Sequence, residues 1–181
     1  LNTNGSVLLD SMLANNFDKT LDAAILEFDF IPTSDTIRFN YIFASEEYPE
    51  FVGVGYNDIF GFFISGPGFT GHQNIALIPN TTDFVSIDNV NDNLNSEYYI
   101  NNNDNSSSIY NCFPFDGYTT LLTAIARVVP CQKYHIILAI ADVSDPSYDS
   151  GVFLEAGSFK SESVKIKTSS PKPHVNDTAL I

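Results

Sequence analysis

The alternation of apolar and polar positions predicts that this chain folds mainly into β-strands. In "AAILEFDFIP" apolar residues alternate with polar ones, as they do in a half-buried strand, and Pro32 ends the run. "TIRFNYIFA" follows after the short segment "TSD", which predicts a hairpin between these two strands. "DIFGFFISG" is almost continuously apolar and stops at a Gly-Pro-Gly turn, so we expect a strand that is buried on both faces.

Later segments repeat this strand signal at short intervals. The further predicted strands are "NIALIP", "DFVSI", "TTLLTAIARVV", "YHIILAIAD", "SGVFLEAGSF" and "SVKIK". The run "TTLLTAIARVV" fits a helix or a strand, and its β-branched residues and the following Pro130 favour the strand. Only "SVLLDSMLANNF" near the start has helical spacing, with Ser6 placed to cap it.

Strands at this spacing, without alternating helices, predict the fold class. We expect an all-β, two-sheet antiparallel β-sandwich, jelly-roll-like, with at most one or two short helices. Residues 1–167 would form a single sandwich domain, and residues 168–181, which begin "TSSPKP", a linker and the start of a following module. The Asn-rich stretch 88–111 interrupts the strand pattern and predicts an exposed loop.

The charge of the chain narrows the range of partners. It has 22 acidic and 8 basic residues and a formal net charge of −14, which disfavours nucleic acid and anionic lipid surfaces. Such acidity suits cation binding and also plain solubility in a salty medium, and composition alone does not separate the two. The chain shows no initial Met, no signal peptide and no apolar run of about 18 residues, so we expect a segment of a larger precursor without membrane insertion.

Two groups of carboxylates lie where predicted strands end. "FASEEYPEF" and the following "GVGYNDIF" form one group, and "ADVSDPSYDSGVF" forms the other. Because Ca²⁺ takes about 6–8 oxygen ligands, clustered carboxylates at strand ends predict a calcium site. Its predicted ligands are Glu46, Glu47, Asp58, Asp142 and Asp149. The alternative is that these acids are solvated loop residues or turn formers. Adjacent residues of a strand face opposite ways, so Glu46 and Glu47 are poor partners for each other in a glycosidase-like pair.

Polar and aromatic loop residues are candidates for contact with a glycan. Tyr offers a flat apolar ring with a polar tip, and Asn can hydrogen-bond to sugar hydroxyls. The candidates are Tyr48, Asn57, Asn91, Asn93, Tyr98 and Tyr99. The alternative for most of these aromatic residues is packing at the edge of the core.

The sequence has two cysteines and none of the common catalytic motifs. Cys112 and Cys131 predict a disulfide in an oxidising compartment, with two buried free thiols as the alternative. The sequence has no GxSxG, P-loop, HExxH or GxGxxG motif, and His135 in "YHIILAIAD" is better explained as a packed residue than as a base. We therefore do not expect an enzyme, although a pair of carboxylates such as Glu47 and Asp58 leaves a polysaccharide-active enzyme as a remote alternative.

Several long motifs resemble a known family. In order, they are "EFDFIP", "FASEEYPEFVGVGYNDIFGFFISGPG", "NIALIP", "DGYTTLLTA", "PCQKYHIILAIAD" and "YDSGVFLEAGSF". Between about residues 23 and 159 the chain resembles the choice-of-anchor L domain, a module of large secreted or surface-anchored bacterial proteins that is common in the Bacteroidetes group. The resemblance implies an extracellular module within a multidomain precursor, next to other domains, and supplies no catalytic residues. The Asn-rich segment 101–112 departs from the family pattern.

Together these observations lead to one hypothesis of function. We expect a calcium-stabilised adhesion or glycan-binding module that is extracellular, either secreted or anchored at the cell surface, and whose partner is a glycan or another cell-surface or matrix ligand. The first alternative is a structural spacer domain with no ligand of its own.

Overall fold

The computed structural model describes residues 4–13, 19–102 and 112–161. Within these ranges there are eleven strands, one α-helix of four residues and one 3-10 turn. Their bounds are α1 (Val7–Asp10), β1 (Thr20–Phe30), β2 (Thr36–Ser45), β3 (Asn57–Ser65), β4 (Gln73–Asn74), β5 (Val85–Ser86), the 3-10 turn (Ser96–Tyr98), β6 (Tyr99–Asn101), β7 (Gly117–Thr119), β8 (Leu122–Arg127), β9 (Tyr134–Val143), β10 (Ser150–Leu154) and β11 (Lys160–Ser161). In the part of the chain described here, no helix has the length and apolar character needed to cross a bilayer.

The strands form two antiparallel sheets. The first sheet has the order β1-β9-β3-β4, and β5 also pairs with β3. The second sheet has the order β10-β2-β7-β6, and β8 and β11 also pair with β2. The predicted all-β, two-sheet antiparallel sandwich is therefore confirmed.

The core lies between β3 of the first sheet and β2 of the second. Phe39 and Phe62 meet edge to face with their ring centroids 4.5 Å apart, and Tyr41 lies 5.2 Å from Phe60. The predicted burial of both faces of β3 is confirmed, because the face that points away from the core carries Ile59 and Phe63, which α1 covers with Leu9.

The predicted hairpin between β1 and β2 is wrong. β1 pairs with β9, with Phe30 opposite Tyr134, whereas β2 lies in the other sheet, with Thr36 opposite Arg127. The connection 31–35 crosses from one sheet to the other, a distance of about 10 Å that five residues readily span. Neighbours along the chain are often neighbours in a sheet, but the alternation pattern does not say which sheet a strand joins.

The other local predictions have mixed outcomes. α1 begins after the predicted cap Ser6, whose Oγ accepts a hydrogen bond from the Leu9 amide at 3.5 Å, and it ends early, at Asp10. "TTLLTAIARVV" contains β8, with alternating burial, so its preference for a strand is confirmed. The predicted strand "SVKIK", the segment 168–181 and residues 103–111 of the Asn-rich stretch lie outside the described residues.

The structure corrects the predicted disulfide. Cys112 and Cys131 are free, and both are exposed. Cys112 precedes Phe113, which packs on Phe153, the residue opposite Ile42 of β2. The Cys131 amide instead donates to the Pro32 carbonyl, beyond the end of β1. Several strand residues, at about 3.3 Å each, separate these places, while a disulfide needs Cα atoms within about 7 Å.

One end of the sandwich collects most of the candidate acids, and we call it the acidic end. There β2 finishes at Ser45, β3 begins at Asn57 and β9 finishes at Val143. β1 also begins at this end, with Thr20 opposite Val143. β11 lies toward the opposite end, where Ser161 pairs with Ile37 of β2.

Candidate functional site

A buried serine ties together two strands and a loop at the acidic end. The Ser45 hydroxyl donates to Oδ2 of Asp58 at 2.6 Å and accepts a hydrogen bond from the Glu47 amide at 2.9 Å. Ser45, Glu47 and Asp58 are all buried, with at most 1% of each residue exposed. The carboxyl group that begins β3 is therefore held in a fixed position by the strand that ends beside it.

A second carboxyl group faces Asp58 from the neighbouring strand. Asp58 of β3 lies opposite Asp142 of β9 in the antiparallel ladder, and Asp142 is 9% exposed. The negative charge of Asp142 disfavours ionisation of Asp58. We call Glu47, Asp58 and Asp142 the acidic cluster.

Burial raises the pKa of every member of the acidic cluster, and repulsion from neighbouring carboxylates adds to each shift. Burial raises the pKa of Glu47 to about 8, with further increases from Asp145, Asp142 and Asp88. Burial also raises the pKa of Asp58 to about 9, and the Glu47 charge adds to it. For Asp142 burial raises the pKa to about 6, and the interaction with Asp58 partly opposes this shift. Each group resists ionisation because its negative charge is poorly solvated.

Two oxygen atoms of the acidic cluster have no hydrogen-bond donor. They are Oε2 of Glu47 and Oδ1 of Asp58, and both are buried. A buried polar atom without a partner costs about 1–3 kcal/mol, and more when it is charged. All donors of the cluster are oxygens, which is the ligand type of a hard cation. As the side chains stand, the described ranges contain no three acidic, imidazole or thiol groups already arranged around one metal position.

Glu46 and Asp149 lie outside the acidic cluster and link two loops instead. The Glu46 amide donates to the Asp149 carbonyl at 3.0 Å, and Oε2 of Glu46 accepts from the Asp149 amide at 3.1 Å. Glu46 therefore holds the loop after β2 to the loop before β10. Asp149 is exposed, and its charge contributes to the raised pKa of Asp142.

A cleft of about 290 Å³ is lined by Asp142 of the acidic cluster. Asp22 and Asp149 line the same cleft. Asp22 belongs to β1, where the pairing with β9 is irregular, and its φ is 48°. Neither Asp22 nor Ser45 is among the residues that the sequence identified, because only the strand pairing brings them to this end.

The loop that carries Glu47 is anchored by contacts around Tyr48. The Tyr48 hydroxyl donates to the Val90 carbonyl at 2.7 Å, and the Tyr48 ring lies 4.8 Å from that of Tyr99. The Gly53 amide also donates to Oδ1 of Asp88 at 2.6 Å. These contacts fix the loop after β2 against the segment after β5.

The six predicted glycan-binding residues do not form a common surface. Tyr48, Tyr99 and Asn91 are buried, and Asn91 uses its side chain to hold its own loop through the amides of residues 93 and 94. They offer a surface ligand no accessible face. Asn93 is exposed, and Asn57 and Tyr98 are half-buried, with Oδ1 of Asn57 accepting from the Asp88 amide at 3.4 Å.

Comparison with known proteins identifies the family. A family model for the choice-of-anchor L domain matches residues 2–160. The chain belongs to the choice-of-anchor L family. This membership indicates a surface-associated, extracellular module, either anchored or secreted, and the choice-of-anchor L family is not a family of enzymes. No curated protein and no solved structure matches this choice-of-anchor L domain.

Proposed function

We propose that this choice-of-anchor L domain is a calcium-stabilised adhesion or glycan-binding module, with Ca²⁺ bound by Glu47, Asp58 and Asp142. The observation that carries the calcium assignment is the pair of buried carboxylate oxygens, on Glu47 and Asp58, that lack a hydrogen-bond donor. A cation would supply the missing partner and neutralise the repulsion that raises the three pKa values.

The ligand chemistry favours calcium over other common ions. Zinc prefers nitrogen and sulfur ligands, and magnesium demands near-ideal octahedral geometry and keeps most of its water. Calcium accepts carboxylate, carbonyl and water oxygens in flexible geometries. The cleft beside Asp142 gives water and ions access to that side chain.

A bound ion would act on the loops of the acidic end. Glu47 belongs to the loop after β2, and Asp142 lies directly before the loop that leads into β10. Bridging them would hold both loops against Asp58 at the start of β3. Such a domain would keep its loops ordered at extracellular calcium concentrations and loosen when calcium is removed.

The experiment is thermal unfolding of the domain in EDTA and in about 1 mM free calcium. A site with a Kd of about 10 μM adds about 2.7 kcal/mol of stability at this concentration, which shifts the melting temperature by several degrees. We expect this gain in the natural sequence and its loss in Asp58→Asn. In EDTA at pH 8 the same variant should be more stable than the natural sequence, because Asp58, with a pKa of about 9 in the folded domain, must take up a proton on folding at this pH, whereas an amide is neutral in both states.

Asp83→Asn provides the matched control, because Asp83 is exposed and lies in a loop away from the acidic end. It should keep the full calcium gain. An Asp58→Asn domain that gains as much from calcium as the natural sequence would contradict the proposed site. A natural domain that neither contains calcium by elemental analysis nor gains stability from it would overturn the calcium assignment altogether.

A further inference from the structure

The outer face of the second sheet carries a patch of aromatic rings. Phe113 contacts Phe115, Tyr118 and Phe153 with ring centroids 5.1 to 5.3 Å apart. With Ile42 of β2, three of these rings line a shallow depression of about 160 Å³. Phe153 is 44% exposed, and Phe113, Phe115 and Tyr118 are half-buried, so these rings lie at the surface of the sheet and are not part of the core.

A row of hydrogen-bonding side chains lies next to these rings on the same face. Asn40 of β2 donates through Nδ2 to Oε2 of Glu155 at 2.7 Å, and its Oδ1 accepts from the Thr123 hydroxyl at 2.8 Å. Asn40 and Ile42 are two residues apart in β2, so they point to the same side about 7 Å from each other. We call the aromatic patch and this polar row together the aromatic-polar face.

We propose that the aromatic-polar face binds a neutral oligosaccharide, with Phe153 and Tyr118 stacking on the sugar rings and Asn40, Thr123 and Glu155 bonding to their hydroxyl groups. This inference rests on the proposed adhesion function and gives it a location and a ligand class. Small-ligand sites combine apolar and aromatic surface with a few fixed polar groups, and the aromatic-polar face has both within reach of one sugar unit.

Charge favours a neutral glycan over an acidic one. The chain has a net charge of −14, and the polar row itself contributes the Glu155 carboxylate. Uronic acid or sulfate groups would be repelled. The amide, hydroxyl and carboxylate of the row are instead a mixed set of donors and acceptors, which is what sugar hydroxyls need. A second copy of this acidic chain is disfavoured for the same electrostatic reason.

The test is affinity electrophoresis of the full 181-residue chain in native gels that contain a soluble polysaccharide. Galactomannan, xylan and mixed-linkage β-glucan are the neutral probes, and alginate is the acidic one. We expect retardation by at least one neutral polysaccharide and none by alginate. A neutral oligosaccharide array extends the same question to shorter chains.

Two variants probe the two parts of the aromatic-polar face. Phe153→Ala removes a stacking ring and Asn40→Ala the centre of the polar row, and each should weaken binding about tenfold or more, as the loss of a central contact does. Tyr148→Ala is the matched control, because Tyr148 is 53% exposed but lies in the loop before β10 at the acidic end. It should bind like the natural sequence. If Phe153→Ala fails to fold, Asn40→Ala decides the question.

Different failures point to different errors. Retardation that both variants retain would overturn the aromatic-polar face as the site and leave the adhesion function standing. Binding to alginate alone would overturn the neutral-glycan assignment. Absence of binding to every polysaccharide and every array glycan would overturn both this inference and the glycan part of the proposed function, whereas the calcium assignment is judged separately by the melting temperatures.

Discussion

At the scale of single residues, the acidic cluster shows how a fold can hold carboxyl groups that water would otherwise ionise. Ser45 fixes Asp58 by a short hydrogen bond, and the β3–β9 ladder sets Asp142 against it. Without a cation, the buried carboxyl groups have a lower free energy at neutral pH when they are protonated than when they are ionised. Protons and calcium therefore compete for the same oxygens.

This competition predicts a pH dependence of stability in EDTA. The pKa of Glu47 is about 8 in the folded domain, against an ordinary value of 4.5, so between these two values the folded state retains a proton that the unfolded chain has released. The unfolding free energy should then fall as pH rises from about 4.5 to 8, by as much as about 1.4 kcal/mol per pH unit for each such group. Asp58, with a pKa of about 9, extends the fall to higher pH.

Melting curves in EDTA at half-unit steps of pH check this expectation. Glu47→Gln should flatten the dependence, and Glu97→Gln, at an exposed position in the 3-10 turn, should leave it unchanged. The gain from calcium should be larger at pH 8 than at pH 6, because at the lower pH the ion must displace protons. Equal slopes for Glu47→Gln and the natural sequence would exclude Glu47 as a buried titrating group.

The sequence alone identifies the three members of the acidic cluster as candidate metal ligands. Glu47, Asp58 and Asp142 all lie where an apolar run begins or ends in the sequence. It could not identify Ser45 or Asp22, because a serine before two glutamates and an aspartate in an alternating run look ordinary. Their roles depend on which strands pair, and that information is not local.

At the scale of elements, the packing of β7 against the loop after β2 positions the acidic cluster. Gly117 is the first residue of β7, and a Cβ atom there would lie 2.7 Å from the Tyr48 ring. Glycine is needed here because the buried ring occupies the space that a side chain would take. Tyr48 in turn anchors the loop that carries Glu47.

Gly117→Ala should therefore destabilise the domain and weaken its response to calcium. Overpacking of this kind costs about 1–3 kcal/mol, and displacement of Tyr48 would move Glu47 away from Asp58. Denaturant unfolding with and without calcium measures both effects. Leu121→Ala, at a 54% exposed position next to β8, should stay within about 0.5 kcal/mol of the natural sequence. Equal stability of the two variants would mean that Tyr48 tolerates the extra methyl group.

Strand pairing shows where sequence reasoning about elements ends. The uninterrupted apolar run of β3 predicts its burial on both faces correctly, because burial leaves a compositional mark on the strand itself. The composition of β1, in contrast, does not indicate which strand pairs with it. β9 arrives more than a hundred residues later and takes the place beside β1 that a hairpin would have given to β2.

At the scale of the whole molecule, the described fold is held by its two sheets and their core without a disulfide between Cys112 and Cys131. Both cysteines are exposed, so both should react with a thiol reagent in the native protein at the rate of accessible thiols. A reducing agent should leave the melting temperature unchanged. If the thiols react only after treatment with a reducing agent, the cysteines form the disulfide that the sequence predicts.

The positions of the first and last described strands have a mechanical consequence. β1 starts at the acidic end, and β11 lies toward the opposite end, so tension applied between Thr20 and Ser161 runs along the strand axes. The hydrogen bonds between β1 and β9 lie across that direction. They are loaded together in shear, and none can open alone in the manner of a zipper. For a module displayed outside the cell, the number of hydrogen bonds between β1 and β9 would therefore set the force that the domain withstands before it unfolds.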